Sequence, residues 1–375
     1  MSRENGATET GGFVYDVPLL FAVLSLVGLG IVMVYSASSA VALEKFGSSA
    51  FFLKRQVFFA LIGIVVLVCY SHIPYRWYRP LTYPLLIVAL VLLVAVHIGG
   101  LGVAAGGAQR WLRFGPLTFQ PAEVARLVLI IYMAYSLSKK QEALGRFSVG
   151  LVPHLLILAV FAVLLMMQPD FGSVMIFAAL TWLLMFVGGV PLRHLLGALL
   201  LAAPVVYLLM VNAAYRLRRL ISFLDPWQHP ADEGYQMIHS LMAFGSGGLW
   251  GAGIGKGYQK LFYLPEPHTD FIFAVIGEEL GFWGVLLIIG LFGLILWRGL
   301  RIAGGCSDIF GMLLATGIIF ALALQVSINM GVCLGLLPTK GLTLPFISYG
   351  GTSLLLNMAA VGVLMNIGTA HERRT

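Results

Sequence analysis

Charge is what this chain has least of. Only 10% of its 375 residues are Asp, Glu, Lys or Arg, against about 25% in soluble domains. With 59% hydrophobic residues, that deficit excludes both a soluble globular domain and a disordered chain. Cysteine is almost as scarce. Cys69, Cys306 and Cys333 lie in or beside apolar runs and offer no plausible pairing, so they read as packing residues, not a disulfide framework. No His-x-x-His or Cys-x-x-Cys pattern accompanies His268, which argues against structural zinc. A Gly-x-Ser-x-Gly elbow is missing too. The glycine-rich Gly245–Gly257 is not a phosphate loop, because Trp250 and Gly257 stand where such a loop needs Gly and Ser or Thr. No short apolar stretch with a small-residue cleavage site follows the polar Met1–Asp16, so an uncleaved tail is expected.

What the chain has instead is long hydrocarbon. Apolar runs able to cross a bilayer lie near Val17–Ala37, Gln56–Tyr70, Pro80–Ile98, Ala122–Leu137, Gly150–Met167, Ser173–Val187, Leu192–Val211, Phe271–Trp297, Phe310–Leu334 and Gly351–Ile367. These predict an all-α polytopic membrane protein of about ten transmembrane helices. It is read as a single membrane domain over 1–375, with a long loop, 212–270, between spans seven and eight. Gln168-Pro169-Asp170-Phe171-Gly172 reads as a tight turn joining spans five and six.

The net charge of +7 is scattered between apolar runs. It therefore speaks for membrane topology and anionic headgroups, with no nucleic acid as partner. Short loops on one side hold Arg76, Arg79, Lys139, Lys140, Arg146, Arg193, Arg298, Arg301, Arg373 and Arg374. The other side holds Lys45, Lys54, Arg55, Arg110, Arg113 and Lys340. The larger set marks the cytoplasmic side, so both termini are expected there and the 212–270 loop outside.

The outward segments hold the chemistry. Leu264-Pro265-Glu266-Pro267-His268-Thr269-Asp270 sets a carboxylate just where the chain re-enters the membrane. Asp270 could take a proton, hold a metal or bind a cation. The loop Gly106–Pro116 alternates Arg110 and Arg113 with Trp111 and Phe114, which suits interfacial anchoring first and phosphate contact second. Glu123 and Arg126, one turn apart, suit an intramembrane ion pair. Glu278 and Glu279 are costly inside a span unless they face a polar cavity. Residues 234–244 are moderately amphipathic, as in a helix lying in the interface. Finally, Gly335–Ser353 is too rich in Pro, Gly and hydroxyls to be a regular span, and with Lys340 it forms a credible anion-binding element.

The run Pro338-Thr339-Lys340-Gly341-Leu342-Thr343-Leu344-Pro345-Phe346-Ile347-Ser348-Tyr349-Gly350-Gly351-Thr352-Ser353 closely resembles the signature of the bacterial SEDS family (shape, elongation, division and sporulation). Leu264–Ala274, Gly277-Glu278-Glu279-Leu280-Gly281, Arg110-Trp111 and Gln120-Pro121-Ala122-Glu123 resemble it as well, so the likeness spans essentially every predicted helix. Ala122 stands where the family usually has serine, and Arg126 where lysine is commoner. Within the family, Thr339-Lys340-Gly341-Leu342 resembles the cell-division branch more than the elongation branch. The resemblance implies a glycosyltransferase that polymerises lipid II, the undecaprenyl-pyrophosphate-linked disaccharide-pentapeptide, outside the bacterial cytoplasmic membrane. It also implies a class B penicillin-binding protein as transpeptidase partner, together with other divisome membrane proteins. The family's essential carboxylate falls on Asp270 and its important lysine on Lys340.

Bottom-up chemistry agrees. Sugar transfer from a pyrophosphate donor needs a base for the acceptor hydroxyl but no strong acid, whereas glycosidases need two carboxyl groups. A lone Asp270 then acts as general base in an inverting reaction. Candidate substrate contacts are Lys340, Arg110, Arg126, Lys256, Glu123, His268 and Ser348. A divalent cation, Mg or Mn, held through Asp270 stays open as a cofactor. The competing readings are a lipid II flippase, suggested by the intramembrane charges, and a purely structural scaffold. The first lacks visible paired broken helices, and the second leaves Asp270 and Lys340 without a purpose.

Overall fold

A computed structural model describes residues 15–98, 101–105, 108–115, 117–228, 230, 234–261 and 263–372. Most of the predicted tail Met1–Asp16 lies outside these residues, as do Gly106, Gly107, Pro116, Arg373 and Arg374. The long helices are α1 (Val17–Phe46), α2 (Phe51–His72), α3 (Tyr78–Ala95), α4 (Pro121–Lys139), α6 (Val152–Met167), α7 (Phe171–Val187), α8 (Leu192–Val211), α11 (Ile272–Gly305), α12 (Ile309–Cys333) and α13 (Gly351–Glu372). Short helices are α5 (Phe147–Gly150), α9 (Ala214–Leu224) and α10 (Tyr235–Gly247). Among the described residues nine helical stretches are long and apolar enough to span a membrane, and the 17-residue α7 is a shorter apolar tenth. All ten predicted runs are helices, and the chain is a multi-pass membrane protein.

Local chemistry explains several boundaries. Asp16, Asp170 and Asp308 each cap a helix by accepting a backbone N–H three residues on, from Leu19, Ser173 and Gly311. Gly47 ends α1 in the left-handed region, at φ 67°. The core is formed by α12, α13 and α4, whose span windows are 72%, 78% and 67% buried, whereas that of α8 is 6% buried and faces outward.

Side-chain ties reveal which loops share an end. Asp16 pairs with Arg298 at 2.7 Å, and Arg79 with Asp308 at 2.5 Å. Asn366, late in α13, accepts from the Tyr75 N–H and donates to the Ser71 carbonyl. Both ends of the described chain, near Asp16 and Asn366, therefore lie at one end of the bundle, with the α2–α3 and α11–α12 connections. The α1–α2, α3–α4, α6–α7, α8–α11 and α12–α13 connections lie at the other.

Three features differ from the sequence reading. The Arg/Trp alternation belongs to a three-stranded antiparallel sheet, β1 (Gly102–Ala105), β2 (Ala108–Phe114) and β3 (Leu117–Phe119), with Leu112 opposite Gly102 and Phe119. A period of two is a strand signal before it is an interfacial one. Second, the segment read as an interfacial helix is α10, which buries Met237, Ile238, Ser240 and Ala243. It packs on α11, with Gly247 against the Gly277 backbone. Third, α11 is broken: Gly281 has φ 66° and ψ −162°, so the eighth predicted span is two helices end to end.

Candidate active site

Asp270 closes the 248–271 connection, just before α11. Its backbone carbonyl accepts from Asn329 Nδ2 of α12 at 2.8 Å, and the same amide group donates to Leu342 O at 2.6 Å. One side chain thereby ties the Asp270 loop to the α12–α13 loop. A second tie is Ser348, whose hydroxyl donates to Thr269 O at 2.6 Å and accepts from Leu344 N at 2.7 Å. A third is backbone, Tyr349 N–H to His268 O at 2.9 Å. Gln325 of α12 adds a bond to Thr343 O at 2.9 Å. As a result the Asp270 carboxylate lies against the α12–α13 loop: a Cβ placed on Gly341 would stand 3.0 Å from Asp270 Oδ2.

Burial pushes the Asp270 carboxyl up to about 7, and the charge of Glu266 adds to the shift. Protein surroundings penalise the carboxylate, and among the described residues no cation offsets this. Lys340 sits next to Gly341, but its side chain runs the other way. It lies over Gly172 at the start of α7, where a Cβ would come within 2.8 Å of Nζ. Its ammonium is buried and has no hydrogen-bond partner among the described residues. Burial pulls Lys340 down to about 8; Asp170 opposes this, and Arg126 and Arg110 add to it.

A second group of charges thus surrounds Lys340. Arg110, carried by β2, donates to Gln168 O at 3.1 Å and Pro169 O at 2.5 Å, the carbonyls of the α6–α7 turn. Asp170 in that turn is buried and spends its carboxylate on Ser173 N and Oγ. Arg126 and Glu123 act on each other across one turn of α4, and Ser353 of α13 interacts with Glu123. Glu123 Oε2 is buried without a hydrogen-bond partner among the described residues. Arg126 and Glu123 line a cavity of about 20 Å³ with Ser173 and Leu342, room for roughly one water molecule. Arg110 and Arg126 therefore act on Lys340, while among the described residues Asp270 feels burial and Glu266 but no cation.

The structure brings together Asp270, Lys340, Arg110, Arg126 and Glu123, around one end of the bundle. His268 and Ser348 are placed otherwise. His268 is buried, its ring centroid 4.5 Å from Phe52 and 5.7 Å from Tyr349, and burial lowers its pKa. Ser348 has its hydroxyl occupied by the two loops it joins. Lys256 is exposed in a turn bound to Glu279, and among the described residues no hydrogen bond or electrostatic interaction links it to Lys340 or Asp270. The cation actually buried in that loop is Lys260, paired with Glu279 at 2.6 Å. Sequence reasoning passed over Asp170, Asn329, Gln325 and Lys260. Asp170 carried a signal, as an N-cap aspartate in a turn flanked by two apolar runs.

The matching family profile, described as the cell cycle protein family FtsW/RodA/SpoVE, covers residues 17–373. The chain belongs to this family. It is 46% identical over 355 residues, 95% of each chain, to the probable peptidoglycan glycosyltransferase FtsW of Geobacter metallireducens. It is 43% identical to stage V sporulation protein E of Bacillus subtilis, over 94% of this chain and 96% of that one. Among solved structures, it resembles a chain of a peptidoglycan synthase complex that couples polymerization and crosslinking, with TM-score 0.79, 31% identity, and coverage of 96% of this chain and 99% of that one. The rod shape determining protein RodA of Thermus thermophilus superposes with TM-score 0.69 at 31% identity, covering 96% and 98%.

Proposed function

We propose that this family member is a peptidoglycan glycosyltransferase that polymerises lipid II into glycan strands at the outer face of the bacterial cytoplasmic membrane during cell division. The observation that carries the reading is the placement of Asp270. It is a half-buried carboxylate whose pKa burial and Glu266 raise to about 7, held by Asn329 against the loop of the unpartnered Lys340. Asp270 takes the proton from the 4-hydroxyl of the acceptor GlcNAc as that oxygen attacks C1 of the donor MurNAc. The C1–O bond to the pyrophosphate breaks, the α-linkage inverts to β, and undecaprenyl pyrophosphate leaves with the electron pair. Lys340, Arg110 and Arg126 meet the charge that develops on it. Asp170 keeps Lys340 cationic without saturating it.

Among the described residues no three His, Cys, Asp or Glu side chains converge on a metal position. A Mg or Mn ion would be held through Asp270 at an open site and would supply positive charge against the departing pyrophosphate. It would arrive with the substrate. Titrating Mn or Mg into chelator-treated enzyme should then raise turnover only in step with occupancy by the pyrophosphate substrate. Tight cation binding to the substrate-free protein would contradict this.

The resemblance to a chain of a peptidoglycan synthase complex that coordinates polymerization and crosslinking supports a class B penicillin-binding protein as partner. The decisive experiment gives labelled lipid II to the purified protein with its transpeptidase partner. Asp270→Asn should yield no glycan strands while remaining folded and partner-bound. Strands from that variant would refute the base assignment. Translocation of lipid II measured separately in proteoliposomes tests the flippase alternative.

A further inference from the structure

The break in α11 has its own fastening. In an unbroken helix Glu278 O and Glu279 O would accept from Phe282 and Trp283. Here Phe282 N–H bonds Gly248 O at 2.9 Å and Trp283 N–H bonds Leu249 O at 3.5 Å, while Ala252 and Gly253 N–H groups take the carbonyls of Glu278 and Glu279 at 2.9 and 3.0 Å. The strand of chain after α10 therefore splints the joint. Side chains repeat the pattern. Glu278 accepts from the Tyr258 and Gln259 amides at 2.7 and 3.2 Å. Glu279 accepts from Gly255 N at 3.1 Å, Ser36 Oγ at 2.8 Å and Lys260 Nζ at 2.6 Å, and Lys260 also donates to Ser36 at 2.9 Å. Lys260, Glu278 and Glu279 are all 5% exposed or less.

The short half-helix Ile272–Leu280 begins two residues after Asp270 and ends at this joint. Gly281 cannot itself fix its direction, because a single glycine in a left-handed conformation is a swivel. Its Asp270 end is held through Asn329 and Ser348, and its Glu279 end through Lys260 and Ser36. The α1 helix is the common reference. Gly30 packs against the backbone of Phe346 and Ile347 in the Lys340 loop, and Ser36, further along the same helix, holds Glu279. With nine residues between Asp270 and Glu279 the lever is roughly 13 Å, so a tilt of about 10° displaces one end against the other by about 2 Å. A misplacement of about 1 Å at a reacting group costs up to roughly 100-fold in rate.

We propose that Lys260, with Ser36 and Glu279, is a positioning residue for the reaction: it latches the Glu279 end of the half-helix to α1 and so holds the Asp270 carboxylate in register with the Lys340–Gly341 loop. The proposal rests on Asp270 being the base. Its role differs from simple packing, because a buried ion pair can be exchanged for neutral groups without loss of the fold.

The test compares Lys260→Met, Lys260→Arg and the neutral double variant Lys260→Met/Glu279→Gln with the unaltered protein, in complex with its transpeptidase and with lipid II as substrate. Loss of the latch should lower kcat about tenfold or more and leave KM within about threefold, since substrate contacts are intact. It should also move the acid limb of the rate–pH profile to lower pH by about half a unit or more, as water reaches a less well seated carboxylate. Lys260→Arg should recover most of the loss. The double variant guards against misfolding: it leaves no buried unpaired charge, yet it should remain slow with a shifted acid limb. If its kcat and acid limb match those of the unaltered protein, the latch is overturned. Asp270→Asn separates the two ideas. Should that variant still polymerise, the base assignment fails; should it be dead while the double variant works normally, only the latch fails.

Discussion

Asp270 and Lys340 are two partly buried ionisable groups whose shifts have opposite directions, and together they define a pH window. Burial raises Asp270 to about 7 and lowers Lys340 to about 8. A base must be deprotonated, so activity should rise as pH passes upward through about 7. An ammonium that steadies a departing pyrophosphate must be protonated, so activity should fall through about 8. The kcat/KM profile of the free enzyme is therefore expected to be a narrow bell between these values. Lys340→Met should lose the alkaline limb along with roughly 100-fold or more of kcat/KM, the usual consequence of deleting one charge-stabilising donor. An alkaline limb that persists in the variant would place the second titration elsewhere. Neither shift was legible in the sequence, because both arise from burial and not from the identity of adjacent residues. The pattern gave the candidates Asp270, Lys340, Arg110, Glu123 and Arg126. It could not give Asn329 or Asp170, whose importance depends on which loops three-dimensional packing brings beside them. Lys256 looked better than Lys260 because of its glycine-rich surroundings, yet only Lys260 points inward.

At the scale of elements, the site depends on α1 approaching irregular backbone. The α12–α13 loop contains Phe346 at φ 66°, a conformation that non-glycine residues seldom adopt. That strain is held by surrounding contacts. One of them is Gly30, where a Cβ would lie 2.7 Å from both Ile347 Cα and Phe346 O. Gly30→Val should therefore destabilise the protein by about 1–3 kcal/mol through overpacking and lower polymerisation more than Gly28→Val, since Gly28 has open space beside it. Thermal unfolding in detergent and strand synthesis measure both effects. Equal behaviour of the two variants would remove α1 from the support of this loop. The ten apolar runs announced their helices because hydrocarbon length is a direct consequence of bilayer thickness. The break at Gly281 was hidden, since glycine is common in membrane helices and only a second segment ready to take the freed carbonyls distinguishes a break from a tolerated glycine. Glu278 and Glu279 were that clue. Their apparent cost as intramembrane carboxylates disappears once the amides of 255–259 and Lys260 are placed around them.

For the whole molecule, the two ends of the bundle carry different work. One holds both described chain ends and the ion pairs Asp16–Arg298 and Arg79–Asp308; the other holds Asp270, Lys340 and Arg110. The first end also carries more Lys and Arg in its short connections: Arg76, Arg79, Lys139, Lys140, Arg146, Arg193, Arg298 and Arg301, against Lys45, Lys54, Arg55, Arg110, Arg113 and Lys340. Positively charged short loops stay on the cytoplasmic side. This bias supports the proposed orientation with Asp270 at the outer face, where a lipid-linked sugar can be built into wall without the strand having to cross the membrane. The exposed Leu336 in the α12–α13 loop and Leu192 at the start of α8 offer matched reporters of that arrangement. In intact spheroplasts a membrane-impermeant maleimide should label Leu336→Cys and leave Leu192→Cys unlabelled until the cells are opened, each variant being made in a chain whose three native cysteines are replaced by alanine. Because the helices alternate in direction, the two positions must report opposite sides. If Leu192→Cys were instead the one reached from outside, Asp270 would face the cytoplasm, and strand synthesis at the outer surface would be impossible for this chain.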